Sequence, residues 1–161
     1  MPAKTKKSQK SSKQILDSKK YTNMFDAYRA FWRRGFSEWA GTSSRSEYWF
    51  TYLMNFLMLI LWLVVFAIAG AGNSVAFGDS PAAVILTLGL VMYAIAIIVP
   101  SISLLVRRLH DAGLSAWWMM LFILTLVPPL DIVASIVFFI FSVLPTKTDG
   151  NPYHKFNKEN K

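Results

Sequence analysis

Two stretches without a charged side chain, residues 50–72 and 82–106, limit what this chain can fold into more than any other feature. At about 1.5 Å per residue, each is long enough to cross the roughly 30 Å of hydrocarbon in a bilayer. Every backbone N–H and C=O in lipid must be paired within its own segment, so runs of this kind read as membrane-spanning helices. The rest of the composition agrees. Of 161 residues, 54% are hydrophobic and 16% charged, where a soluble domain carries about a quarter charged. The length allows one domain. The chain has no cysteine, which excludes disulfides, thiolate metal sites and cysteine nucleophiles. No signal peptide is evident, because the polar, lysine-rich stretch before the first span is far too long for a signal n-region.

The remaining apolar run, Trp117 to Leu144, contains one charge, Asp131, and is broken at Pro128-Pro129. As one straight helix it would measure about 42 Å, more than a bilayer core needs. A proline pair cannot sit inside a helix, so two short helices joined there fit better. Charge placement arbitrates the topology. Residues 1–49 hold eleven of the seventeen basic side chains, residues 107–111 hold two, and the tail holds Lys147, Lys155, Lys158 and Lys161. The turns near Asp79 and Pro128 hold none. The positive-inside rule then places the N-terminus, the central loop and the C-terminus in the cytoplasm. The expected fold is an all-α, multi-pass protein with four membrane helices, at about 50–72, 82–106, 115–127 and 130–144. The alternative is two spans and a re-entrant hairpin.

Residues 1–20 are expected to form a disordered basic cytoplasmic tail, and residues 145–161 a second one. Between the first tail and the first span, Phe25, Tyr28, Phe31 and Trp32 recur at helical spacing with Arg29, Arg33 and Arg34. This predicts an interfacial amphipathic helix over 23–35, with its rings at headgroup level and arginine meeting phosphate. Tyr48, Trp49 and Tyr52 form an aromatic belt where the first span begins, and Trp117-Trp118 anchors the third. Asn55, the lone strongly polar side chain in the first span, is expected to hydrogen-bond a neighbouring helix. Pro100, followed by Ser101 and Ser103, predicts a kink in the second span. Gly150-Asn151-Pro152-Tyr153 reads as a turn. Asp131 is expected at the outer surface, where it helps to start the last helix.

With this topology the start of the first span and the end of the second lie at one level. Arg45 and Glu47 come near Arg107, Arg108, His110 and Asp111, and these six are the candidate site. Opposite charges at the edge of a low-dielectric slab should pair, and Arg107 and Asp111, four apart, can meet on one helix face. The group reads either as an ion-pair clamp between helices or as a pocket for an anion such as a phosphate headgroup. An enzymatic reading is disfavoured. His110 and Asp111 point about 100° apart on a helix, and no nucleophile, metal set or cofactor motif accompanies them.

Three blocks together resemble the domain-of-unknown-function 805 family of small bacterial inner-membrane proteins. They are Arg45-Ser46-Glu47-Tyr48-Trp49, then Arg107-Arg108-Leu109-His110-Asp111 with Gly113, Ser115, Trp117 and Trp118, and Leu144-Pro145 with Gly150-Asn151 and Tyr153. The resemblance covers residues 24 to 154. The family usually reads Gly-Arg-x-Ser-Arg-x-Glu-Tyr-Trp, and here Thr42 replaces the first arginine. Leu114 stands where a basic residue often follows the glycine, and the tail is less glycine-rich than usual. Fewer donors for an anion favour the clamp. The resemblance implies the membrane class and adds no activity. The expected function is therefore a non-enzymatic module that meets anionic lipid or a partner membrane protein, a second copy included, through its basic face. No cofactor, metal or nucleic acid is expected. A small oligomeric transporter or channel subunit is the alternative, with only Asn55, Ser101, Ser103 and Asp131 to line a path.

Overall fold

The structure, a computed structural model, describes residues 19–71, 81–147 and 149–153. The expected basic tail up to residue 18, the turn containing Asp79, and the tail from His154 onward lie outside the described residues. Among those described, every regular element is helical.

Helix α1 spans Met24–Gly35. Asn23 starts it by accepting a hydrogen bond from the Phe25 N–H, which satisfies one of the donors a helix leaves open at its first turn. Its inner face is made of Ala27, Ala30, Phe31 and Gly35, all buried, while Phe25, Arg29 and Arg33 face outward. Helix α2 spans Arg45–Ala71, and α3 spans Pro81–Asp111 with Pro100 inside it. Both run past the stretches read from the sequence, because the charged motifs at their ends stay helical and pair with each other. Gly113, at φ 78°, ends α3. The Gly113 N–H bonds to the His110 carbonyl and the Leu114 N–H to the Leu109 carbonyl, the paired closure that a left-handed residue after a helix permits.

After α3 come a 3-10 helix, Ala116–Met120, the single-turn α4, Leu121–Leu124, and α5, Leu130–Val143. The expected membrane helix at 115–127 is thus a 3-10 turn followed by one α turn. Ser115 caps its start, and Pro128-Pro129 leaves no room for further turns. Trp118 against Phe141 joins the two arms of the hairpin, which packs beside the polar end of α2 through Trp49 against Phe139.

Close approach between helices depends on two glycines. A Cβ on Gly35 would lie 2.5 Å from the Cβ of Pro100, so α1 rests directly on the proline of α3. A Cβ on Gly89 would lie 2.9 Å from the Trp62 ring, where α2 crosses α3. Helices α2 and α3 are each long and apolar enough to cross a membrane, and their apolar stretches are left almost uncovered by the rest of the chain. A soluble protein does not expose such surfaces; this is a membrane protein. Helix α5 is apolar but has 14 residues, about 21 Å, against about 46 Å for the 31 residues of α3.

Candidate functional site

Where α1, α2, α3 and the chain after α5 meet, one end of the molecule holds a buried polar knot. Its centre is Glu47, fully buried. Ser44, Arg45, Ser46 and Glu47 have the spacing of a capping box, and the Ser44 hydroxyl does accept the Glu47 N–H at 3.3 Å. The Glu47 carboxylate turns inward instead of capping. Its Oε2 takes a hydrogen bond from Arg34 Nη1 of α1 at 2.7 Å, and its Oε1 takes one from Arg107 Nη1 of α3 at 2.6 Å. One carboxylate thus ties three helices. Arg34 also donates to Glu38 Oε2 at 2.5 Å and to the Thr42 carbonyl at 2.9 Å. Burial works against the Arg34 charge, but Glu47 and the bond to Glu38 outweigh it and hold the guanidinium above the ordinary arginine range. Burial, with Glu47 nearby, likewise pushes the Tyr21 phenol up.

The second half is built around Arg108 and Asp111, both fully buried. Arg108 Nη1 meets Asp111 Oδ2 at 2.5 Å, one helical turn away. Its Nε donates to the Ser142 carbonyl at 3.2 Å and its Nη2 to the Leu144 carbonyl, so it closes the exposed end of α5. Thr146 donates to Asp111 Oδ2 at 2.7 Å. The tail then straps across the end of α3. The Lys147 N–H bonds to the Asp111 carbonyl, and the buried Asn151 amide donates to the carbonyls of His110 at 2.7 Å and Lys147 at 2.9 Å. Tyr153 stacks on the His110 ring at 3.9 Å and 8°. His110 Nδ1 lies 3.3 Å from the Gly41 carbonyl.

Of the six candidate residues, the structure brings together Glu47, Arg107, Arg108, His110 and Asp111 and leaves Arg45 exposed. The expected pairing of Arg107 with Asp111 is replaced by two others. Glu47 takes Arg107 across helices, and Asp111 turns to Arg108. Arg34, Glu38, Thr146 and Asn151 complete the knot without having been read as part of it. Arg34 carried a signal, since it falls on the same α1 face as Ala27, Ala30 and Phe31, but aromatic neighbours gave it the look of a lipid-facing arginine. Asn151 stands in the tail block of the family resemblance, but nothing in its spacing joins it to α3, some forty positions earlier.

Three arginines face three carboxylates in the knot, and charge there balances. Arg107 Nε and Nη2 and the hydroxyls of Ser43 and Thr51 are buried without a hydrogen-bond partner among the described residues. Among the described residues, the exposed cations lie outside the knot: Lys19, Lys20, Arg29, Arg33, Arg45 and Lys147. No group of three or more acidic or histidine side chains among the described residues could hold a metal ion.

Farther along the helices, Asn55 of α2 meets two hydroxyls. Tyr93 of α3 donates to its Oδ1 at 2.7 Å, and the Tyr28 hydroxyl of α1 lies 3.4 Å from the same oxygen and 2.9 Å from that of Tyr93. The hydrogen bond expected of Asn55 thus reaches two neighbouring helices.

Compared with known proteins, residues 36–155 match a family described as "Protein of unknown function (DUF805)". No curated protein and no solved structure matches the chain.

Proposed function

Because this chain belongs to the DUF805 family, whose function is unknown, its role has to be read from its own chemistry, and we propose that it is a non-enzymatic module of the bacterial inner membrane whose basic cytoplasmic face holds anionic lipid headgroups. The observation that carries this reading is the sorting of its cations. Arg34, Arg107 and Arg108 are used up in the knot, while Lys19, Lys20, Arg29, Arg33 and Arg45 stand exposed around it and, among the described residues, make no ion pair. Exposed Phe25, Phe36, Trp39, Trp49 and Trp117 accompany them. Aromatic rings at headgroup depth beside unpaired basic groups suit an anionic bilayer surface, where each Lys or Arg contributes about 1 kcal/mol. Headgroup binding therefore falls on the rim and not on Arg107 or Arg108.

In this reading α2 and α3 cross the membrane, and α4 and α5 form a re-entrant hairpin. A four-crossing arrangement would need the short 3-10 and α4 segment to reach across as well. Both tails and the knot then share the cytoplasmic side, as the positive-inside rule asks. A solute path has less support. Asn55 is tied to Tyr93, the Ser103 hydroxyl to the Glu38 carbonyl at 3.2 Å, and Asp131 sits in the first turn of α5.

The test is native mass spectrometry of protein extracted in mild detergent from membranes rich in phosphatidylglycerol. The wild type should retain anionic lipid. A variant carrying Arg29→Glu, Arg33→Glu and Arg45→Glu should lose it at least tenfold while remaining folded. Equal retention by the variant, or a protein partner in place of lipid, would overturn the proposal.

A further inference from the structure

Two serines at the start of α2 pin the chain that leads into α1. The Ser44 hydroxyl donates to the Lys19 carbonyl at 2.7 Å, and the Tyr21 N–H donates to Ser46 Oγ at 2.7 Å. The two hydroxyls lie 3.1 Å apart, and Tyr21 is buried against Ala27, Ala30 and Phe50. Lys20 is therefore held from both sides, at the carbonyl before it and the N–H after it. Arg45, between the two serines, is the first residue of α2. Segments 25 positions apart are thus fixed beside each other, and Lys19, Lys20 and Arg45 gather at the end of one helix.

Nothing among the described residues neutralises this group. All three side chains are exposed and make no ion pair there. Glu47, the nearest acid along α2, turns inward to Arg34 and Arg107. Lys19 Nζ stands 5.2 Å from the centre of the Tyr21 ring, a contact that steadies a lysine without cancelling its charge. Trp49, one turn into α2, is exposed and sets the group at the depth of the headgroup layer.

From this convergence we infer that Lys19, Lys20 and Arg45 form a seat for a phosphate monoester, a lipid whose headgroup ends in a free phosphate. The inference rests on the lipid reading above and names the class of headgroup that this part of the rim selects. A phosphate diester carries a single charge and two unesterified oxygens, which leaves most of a group of three cations unused. A monoester approaches a double charge at neutral pH and offers three such oxygens. Arginine can take two of them as a fork while the lysines meet the third as point charges. An acidic protein segment is the weaker occupant, because the group lies at the depth of the aromatic belt, where headgroup phosphates already stand.

The experiment counts bound lipid by native mass spectrometry as the full chain in mild detergent is titrated with dioctanoyl phosphatidic acid or dioctanoyl phosphatidylglycerol. A phosphate monoester takes its second charge at about pH 6, so the titrations are run at about pH 5 and about pH 8. Phosphatidic acid should bind about tenfold tighter than phosphatidylglycerol at the higher pH and within about twofold at the lower. Titration of the protein's own groups acts on both lipids, and the ratio removes it. Lys20→Gln/Arg45→Gln should erase the preference, whereas Arg29→Gln/Arg33→Gln should weaken both lipids alike and keep it. Ser46→Ala releases the Tyr21 N–H with every cation in place and should reduce the preference, which bulk charge alone would not do. Glycerol phosphate that displaces the lipid at equal concentration would support the seat and make its source a soluble phosphate; no displacement would support a lipid. Equal affinities at both pH values, or a preference that Lys20→Gln/Arg45→Gln retains, would overturn the inference and leave the rim reading standing. No binding of either lipid, or an acidic protein retained in their place, would end both readings.

Discussion

The two ends of the α2–α3 pair are held by different means. At the polar end, a single carboxylate joins three helices, and an arginine, an aspartate and a strapped tail close a fourth segment onto them. At the other end, Trp62 lies on Gly89 and one indole N–H reaches a backbone carbonyl. The knot accepts one register only, because a shift of either helix by one residue separates Glu47 from Arg107. The far end requires that a large ring meet a small residue, a condition many arrangements of apolar helices satisfy. In a membrane, where lipid tails are as apolar as leucine, burial does little to hold helices together. Specific alignment then has to come from the few polar groups present.

The largest effect should come from breaking the knot at its centre. Glu47→Ala leaves Arg34 and Arg107 buried without their shared partner, which should cost about 3–5 kcal/mol, read as a fall in stability to denaturation in detergent micelles. Next is Gly35→Ala, which sets a methyl against Pro100 where neither backbone can yield. A loss of about 1–3 kcal/mol is expected in the same assay, and an unchanged midpoint would mean that α1 does not rest on α3. Trp62→Phe tests the far end. It removes the indole N–H and the ring atoms that lie on Gly89, so about 1–2 kcal/mol should be lost. A cost as large as that of Glu47→Ala would erase the contrast between the ends. The smallest effect is expected for Arg45→Ala, which should leave the unfolding midpoint where it is, since Arg45 is exposed and makes no ion pair among the described residues.

How much of this was legible depends on distance along the chain. The two long helices and the meeting of Glu47 with the 107–111 motif follow from uncharged runs and charge placement. The choice of partners does not. Arg107 and Asp111 are well spaced to meet on a helix, yet Glu47, sixty positions earlier, takes Arg107, and Arg108 is left for Asp111. Local spacing cannot weigh a partner brought in by tertiary packing. The role of Arg34 is hidden for a related reason. Beside Phe31 and Trp32 it resembles a headgroup-binding arginine, and only the docking of α1 turns it inward. For the last hairpin, apolar composition leaves two short membrane helices or a re-entrant pair, and it does not reveal the 3-10 turn of the first arm.

Asn151 imposes an order on the making of this protein. The carbonyls at the end of α3 are among the groups that most need a partner near lipid, and the side chain that takes the His110 carbonyl is synthesised some forty residues later. Until that residue emerges from the ribosome, the end of α3 is closed only by the Gly113 and Leu114 N–H groups. A chain cut short before Asn151 would lack the second bond to the His110 carbonyl and the strap that the amide ties between α3 and Lys147.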